Sequence, residues 1–329
     1  MIKIGVVGVG HLGRHHARKF LQIEGCRLAG VYDSNPQRCQ EIAGELKVTA
    51  FPSYPALLAE VDAVDIAATT TAHYELAKTA LRTGRHVFIE KPITSELWQA
   101  EELLNLAQEL KLKLQVGHIE RFNPAVLQME SSIQDPLFIE SHRLSTFHHR
   151  GIDVPVVLDL MIHDIDLILD FVHSPVKEIR ASGVGILTPS IDIANARLEF
   201  ENGAIANVTS SRVSMKQERK IRFFQRDAYF SLDFSGKKVT VIKKSADIMK
   251  YLPQLLLGST EIKPEQLVDI QTHELDDSGK DALQLELESF VDAIANDKNP
   301  VVDGQAGCRA LRVALQIMDR IRNQPKIQF

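Results

Sequence analysis

Lys91, Asp159 and His163 are the residues of this chain whose types and spacing suit acid–base chemistry. Lys91 closes the run His86-Val-Phe-Ile-Glu-Lys-Pro92, where three apolar residues bounded by charge and proline predict a short buried strand. An ammonium at the end of such a strand is costly unless a partner or ligand meets it. In open α/β sheets, ligands bind just outside the carboxyl ends of the strands. Pro92 stops the ladder and biases Glu90 and Lys91 toward extended backbone, so Lys91 is expected to face that crevice. Taken alone, a solvated lysine in a loop explains the residue equally well.

Asp159 and His163 stand four apart in Leu158-Asp-Leu-Met-Ile-His-Asp-Ile-Asp-Leu-Ile-Leu-Asp170. At about 100° per residue, Asp159, His163, Asp166 and Asp170 share one narrow stripe of an otherwise apolar helix. Such a helix is expected to be buried, with one polar seam. A carboxylate beside an imidazole orients the ring and raises its basicity, which suits a general base near neutral pH. A solvated stripe or a structural Asp–His pair is the competing reading. Lys91 and a dinucleotide motif in the same chain favour the catalytic one.

That motif is Gly8-Val-Gly10-His-Leu-Gly13, directly after one predicted strand and opening a helix. Gly8 permits the tight turn, Gly10 lets backbone approach a pyrophosphate, and Gly13 allows close helix–strand packing. The pyrophosphate rests on amides at the positive helix end, with His11 and Leu12 completing the binding turn. Asp33 ends the second strand twenty residues after Gly13, where an acid takes the ribose hydroxyls, and Ser34 follows it. An acid there repels a 2′-phosphate, so NAD is favoured over NADP. Arg38 is near enough to act in the opposite sense. Thr69-Thr70-Thr71 and His73 follow the next strand on the same edge. One threonine is expected to cap the helix and another to touch the cofactor. His73 is open to both readings, and Glu90 joins Lys91 in the cofactor-facing set.

A metal site is not expected. His142, His148, His149, Asp159 and His163 could supply ligands, but adjacent histidines on an extended segment point to opposite faces. No two of these histidines have H-x-x-x-H spacing, and the chain has no cysteine ligand set.

The elements that must hold these groups read as strand and helix in alternation through residues 1–120. Strands are predicted at 2–7, 27–32, 63–67, 86–89 and 113–116, and helices at 11–23, 36–46, 72–81 and 95–110. The alternation implies right-handed βαβ units, a parallel sheet and helices on both faces. After Pro124, one strongly apolar helix (154–172) precedes strands near 176–187, 191–200, 204–212, 219–226, 228–234 and 238–243. Asn202-Gly203 and Ser235-Gly236-Lys237 are turns within this run, which predicts a mostly antiparallel sheet. Residues 245–280 read as loop, and helices at 282–296 and 305–323 close the chain. The expected class is therefore α/β: a Rossmann dinucleotide-binding domain at 1–120, and a substrate domain at 121–329.

The 329 residues are 44% hydrophobic and 25% charged, enough for two cores, and the net charge of -5 excludes a basic surface for nucleic acid or an anionic membrane. No apolar run is long enough to span a bilayer, and no charged leader precedes a hydrophobic core, so no signal peptide is expected. Three cysteines without C-x-x-C spacing point to a reducing compartment, the cytoplasm.

The glycine turn, Glu90-Lys91-Pro92 and Asp159-x-x-x-His163-Asp164 together resemble the glucose–fructose oxidoreductase/inositol dehydrogenase/rhizopine-catabolism (Gfo/Idh/MocA) family, over nearly the whole chain, including Pro300 to Gly304. The resemblance implies a carboxy-terminal α/β domain whose open sheet joins homodimers or homotetramers, and NAD(P)-dependent chemistry at a sugar or cyclitol carbon. It also implies that Lys91 contacts substrate and nicotinamide ribose, while Asp159 and His163 face the reacting hydroxyl. Within the family, Gly117-His-Ile-Glu-Arg-Phe-Asn-Pro124 and the Asp159 helix are most similar to sugar-nucleotide 3-dehydrogenases, which implies a substrate such as UDP-N-acetylglucosamine. Ile119-Glu120-Arg121 departs from the Asn-Arg-Arg of many relatives. Arg121, Arg150, Arg212 and Lys216 are candidate cations for a pyrophosphate, offered from the second domain, and Asn123 joins the substrate set. Either His163 or Lys91 accepts the hydroxyl proton. A free-sugar or inositol dehydrogenase, and a non-catalytic dinucleotide-sensing regulator, are the alternatives.

Overall fold

The computed structural model describes residues 1–147, 154–245, 250, 267–275 and 279–324. The chain divides into two compact units, Met1–Phe122 with Gly279–Val313, and Asn123–Ser278 with Ala314–Phe329. The sequence reading cut the chain once, near residue 120. The structure instead returns residues 279–313 to the amino-terminal unit, because their apolar faces complete its core.

Short apolar runs in that unit form six parallel strands: β1 (Ile2–Val7), β2 (Cys26–Tyr32), β3 (Thr49–Ala50), β4 (Ala63–Ile66), β5 (His86–Glu90) and β6 (Leu114–Gly117). Their order across the sheet is β3-β2-β1-β4-β5-β6, a doubly wound arrangement with its switch point between β1 and β4. The connecting helices are α1 (His11–Phe20), α2 (Pro36–Leu46), α3 (Tyr54–Glu60), α4 (Thr70–Arg82) and α5 (Leu97–Glu109). The short pair β3 and α3 was not anticipated. A 3₁₀ turn, Ile119–Phe122, ends this stretch. Asn35 caps α2 through its side chain, which accepts the Arg38 amide at 3.1 Å, and Pro36 supplies the first helical turn.

The carboxy-terminal unit opens with α6 (Pro124–Met129) and builds an eight-stranded sheet from β7 (Phe138–Leu144), β8 (Val176–Val184), β9 (Ile193–Phe200), β10 (Ile205–Ser211), β11 (Glu218–Phe224), β12 (Ala228–Asp233), β13 (Lys238–Lys244) and β14 (Val268–Glu274). The order is β14-β13-β12-β11-β7-β10-β9-β8, with β7 and β10 parallel and every other pair antiparallel. Gly203, at φ +87°, makes the tight β9–β10 hairpin. Strands β7 and β14 are additions to the sequence reading, and β14 lies inside the span read as loop. The long apolar helix is also not uniform: a π-helical turn, Val157–Met161, runs into α7 (Ile162–Val172). Helices α8 (Ala282–Ala295) and α9 (Gly304–Arg322) close the chain.

Candidate active site

The glycine turn has the shape the motif demands. Gly8 sits at φ +85°, and a Cβ there would lie 2.6 Å from the Ala68 backbone; a Cβ on Gly13 would lie 1.9 Å from the Gly8 carbonyl oxygen. Both positions admit only glycine for internal reasons. At Gly10 an added Cβ meets no protein atom, so the constraint there fits a group arriving from outside. Gly10 caps α1 without a side-chain bond, and the first turn of α1 carries no acid, which leaves its amides suited to a phosphate. His11 is exposed, and Leu12 remains 50% exposed although it is large and apolar, a surface that a cofactor would cover. These residues fit a dinucleotide.

Asp33 and Arg38 grip this turn through Val9. The Asp33 carboxylate accepts the Val9 amide at 2.8 Å and the Asn35 amide at 2.9 Å, while Arg38 Nε donates to the Val9 carbonyl at 3.1 Å. Ser34 is exposed beside them. Helix α4 starts earlier than anticipated, at Thr70, and Thr69 occupies its cap position without a side-chain capping bond. The expected threonine cap is therefore absent at Thr69, whose hydroxyl lies 3.4 Å from that of Thr71. His73 moves out of the cofactor set: it is 1% exposed, with Nδ1 3.0 Å from the Pro92 carbonyl and Nε2 3.1 Å from the Ala68 carbonyl. Two carbonyls would favour a protonated ring, but burial outweighs them and pulls its pKa below the ordinary value. A neutral ring donates to one of them only. His73 ties the end of β4 to the segment after Lys91.

Lys91 follows β5 directly, partly buried, and its amide donates to the Glu90 carboxylate at 3.1 Å. The Glu90 carboxylate is engaged by groups of its own unit. Its other oxygen lies 3.2 Å from His16 Nε2, and His16 Nδ1 lies 2.8 Å from Asp65 of β4. His16 is 1% exposed and Asp65 fully buried. Burial opposes protonation of His16, but the Asp65 and Glu90 carboxylates override it and raise its pKa well above the ordinary value. Glu90 is likewise penalised by burial, yet His16 and Lys91 hold its pKa below the usual range. Burial raises that of Asp65. The His16 ring thus lies between two carboxyl groups, and neither His16 nor Asp65 was found by sequence reasoning. The available signal was a histidine on the buried Gly13/His16/Ala17/Phe20 stripe of α1, together with an acid inside the apolar strand β4.

In the carboxy-terminal unit, Asp159 lies in the π-helical turn and His163 in the first turn of α7, so the even spacing assumed at 100° per residue does not apply. Asp166, in the regular helix with His163, is buried, as a polar seam on a buried helix allows. Asp159 borders a cavity of about 820 Å³ lined also by Thr146, Arg212, Gln217, Arg219 and Ser235. Arg219, at the start of β11, is an exposed cation on this cavity that sequence reasoning passed over. Arg212 also reaches the cavity, donates to the Val154 carbonyl and pairs with Asp192 at 3.6 Å. Lys216 pairs with Glu218 at 2.6 Å. The Asn123 side chain accepts the Ala125 amide at 3.1 Å and so caps α6. Arg121 is buried in the 3₁₀ turn and belongs to the amino-terminal unit, not the second domain. Arg150, His148 and His149 lie outside the described residues. Among those described, no cluster of three or more His, Cys, Asp or Glu is arranged for a metal, and no helix is long and apolar enough to cross a membrane.

Comparison with known proteins follows the same division. Residues 2–118 match the model of an oxidoreductase family with an NAD-binding Rossmann fold, and residues 125–231 match the Gfo/Idh/MocA C-terminal domain. The chain is 39% identical to UDP-N-acetylglucosamine 3-dehydrogenase of Acidithiobacillus ferrooxidans, covering 96% of both chains. A solved structure of that enzyme matches with a TM-score of 0.86 at 38% identity, covering 97% of both. A scyllo-inositol 2-dehydrogenase (NAD(+)) of Bacillus subtilis is 24% identical, covering 100% of this chain and 96% of its own. The fold is shared with scyllo-inositol dehydrogenase from Lactobacillus casei, solved with NAD(H) and scyllo-inositol, at a TM-score of 0.77, 21% identity and coverage of 98% and 97%.

Proposed function

The chain belongs to the Gfo/Idh/MocA oxidoreductase family, and from that premise we propose that it oxidises the C3 hydroxyl of a nucleotide sugar such as UDP-N-acetylglucosamine, with NAD as acceptor. The observation that carries the substrate class is 39% identity over 96% of both chains with an enzyme of that activity. The cavity beside Asp159, with Thr146, Gln217, Ser235 and Arg219 among the residues of its wall, supports the same class, since a sugar diphosphate needs hydrogen-bond partners and a cation.

The glycine turn, Asp33 and Lys91 lie in the amino-terminal unit, and Asp159 and His163 lie in the carboxy-terminal unit. NAD, when bound, supplies the hydride acceptor. Where His163 removes the hydroxyl proton, the Lys91 ammonium stabilises the developing alkoxide and Asp159 supports the positive form of His163; where Lys91 is the acceptor, it begins as the neutral amine. Placement in the cytoplasm is supported by three buried cysteines that form no disulfide. Assembly as a homodimer or homotetramer is supported by the sheet face opposite α7, where Glu140, His142, Arg197, Asn207 and Arg222 remain half-exposed. Light scattering on the purified protein tests that assembly.

The test of function is NAD reduction across UDP-sugars, free sugars and cyclitols. Turnover with UDP-N-acetylglucosamine is expected. Turnover with inositols and none with UDP-sugars would overturn the assignment and favour the activity named for the 24% relative.

A further inference from the structure

We propose that His16 is a positioning residue for Lys91: by bridging Asp65 and Glu90 it holds the Glu90 carboxylate against the Lys91 amide and so fixes where Lys91 leaves β5. The inference rests on the reading of Lys91 as a residue of the reaction. Its own support is geometric. Three elements converge on one ring: α1 brings His16, β4 brings Asp65 at 2.8 Å, and β5 brings Glu90 at 3.2 Å. The second oxygen of Glu90 receives the Lys91 amide at 3.1 Å, so the chain of contacts ends at the backbone of Lys91 itself.

Two further features keep Glu90 turned inward. Gly117 of β6 lies opposite Glu90 in register, and a Cβ at Gly117 would come within 3.1 Å of the Glu90 carboxyl carbon, so a larger residue there would press the inward carboxylate aside by a few tenths of an ångström. The Phe88 ring meets His16 edge-on at 5.8 Å, which limits tilting of the imidazole. The charged groups around His16 are Asp65 on β4, Glu90 on β5 and Lys91 beyond it, and His73 on α4, bonded to the Pro92 carbonyl, also feels the Glu90 charge. A buried ionic cluster is a poor source of stability, because desolvation offsets the attraction. Specifying one geometry at the end of β5 is the account that remains.

The test is a kinetic cycle on the full-length protein with NAD and UDP-N-acetylglucosamine. His16→Asn and Glu90→Gln are each expected to lower kcat by about tenfold or more, with the KM for NAD within about threefold, since small misplacement of a reacting group falls on kcat. The double variant is expected to match the worse single one, because both break the same contact. Multiplicative losses, or wild-type kcat in His16→Asn, overturn the proposal. Asp65→Asn, which keeps the shape and removes the charge, guards against a misfolded His16 variant. The bridge is intact while His16 is protonated and is lost as pH rises through its pKa. Removing the Asp65 charge lowers that pKa, so the alkaline decline of kcat is expected to begin at lower pH; an unchanged alkaline limb counts against the proposal. Lys91→Met separates the two readings. If it turns over normally, the functional assignment fails; if it is inactive while the His16 and Asp65 variants behave as wild type, only the positioning role fails.

Discussion

Arg143 of β7 and Asp164 of α7 meet through two parallel bonds, Nε to Oδ2 and Nη2 to Oδ1, each 2.9 Å, with both side chains almost wholly buried. This bidentate pair fastens the helix that carries His163 to the sheet behind it. Removing one partner strands the other charge in the core. Asp164→Ala is therefore expected to destabilise the carboxy-terminal unit by about 3–5 kcal/mol, whereas Arg143→Met with Asp164→Leu costs far less. Urea unfolding followed by circular dichroism measures both. Equal losses in the two variants would contradict this account of the pair.

Lys91 follows the carboxyl end of β5, whereas the glycine turn follows β1. Lys91→Met is expected to lower kcat by about a hundredfold or more, the scale of a lost electrostatic stabiliser. The Kd for NAD, read by quenching of protein fluorescence, is expected to stay within about threefold of wild type.

Asp33 keeps a negative charge beside the turn, fixed by the Val9 and Asn35 amides, while Arg38 lies on the other side of Val9. Asp33→Asn removes the charge that repels a 2′-phosphate and leaves the Arg38 guanidinium in place. The ratio of kcat/KM for NADP to that for NAD is expected to rise by about tenfold, equivalent to about 1.4 kcal/mol. An unchanged ratio would mean that Asp33 does not read the ribose.

Asp192 sets an acid limit on stability. Burial works against its ionisation, but the Thr188 hydroxyl and the amides of Ile186, Leu187 and Thr188 prevail and hold its pKa at about 2, against an ordinary 3.8. A depressed folded pKa gives stability that is complete above the unfolded value and is lost as pH falls through the folded one. Stability is therefore expected to drop between about pH 4 and pH 2, with a shallower slope in Asp192→Asn. Acid titration monitored by near-ultraviolet circular dichroism gives both curves.

Cys26 and Cys308 are buried, and burial pushes both thiols up to about 11. The thiolate is the reactive form. Iodoacetamide at mildly alkaline pH is expected to label these cysteines slowly in the native protein and rapidly in denaturant, as mass spectrometry of tryptic peptides will record.

The parallel sheet was legible because β1, β2, β4 and β5 are apolar runs punctuated by glycine and proline, and the cofactor turn was legible because its glycines have separate steric causes. Strand β7 escaped because Phe-Ile-Glu-Ser-His-Arg-Leu hides a buried arginine in what reads as polar surface; only Asp164, twenty-one residues later, makes Arg143 a core residue. Strand β14 escaped because an edge strand exposed on both faces has no hydrophobic alternation to detect. The helical wheel failed at Asp159 because a π turn accommodates an extra residue and rotates everything before it. The Asp65–His16–Glu90 cluster escaped for a related reason. Each member looks anomalous alone, and their complementarity exists only once α1, β4 and β5 are adjacent.

The return of residues 279–313 to the amino-terminal unit has a consequence for the order of events during synthesis. Phe290 of α8 covers Phe88 edge-on at 5.8 Å, and the Gln115 side chain donates to the Glu286 carbonyl across 171 positions of sequence. At about 5–20 residues per second of translation, that separation corresponds to about ten to thirty seconds. Through that interval the nascent sheet holds Phe88 without its partner ring. The half of the chain that leaves the ribosome first is thus sealed only after α8 has been made.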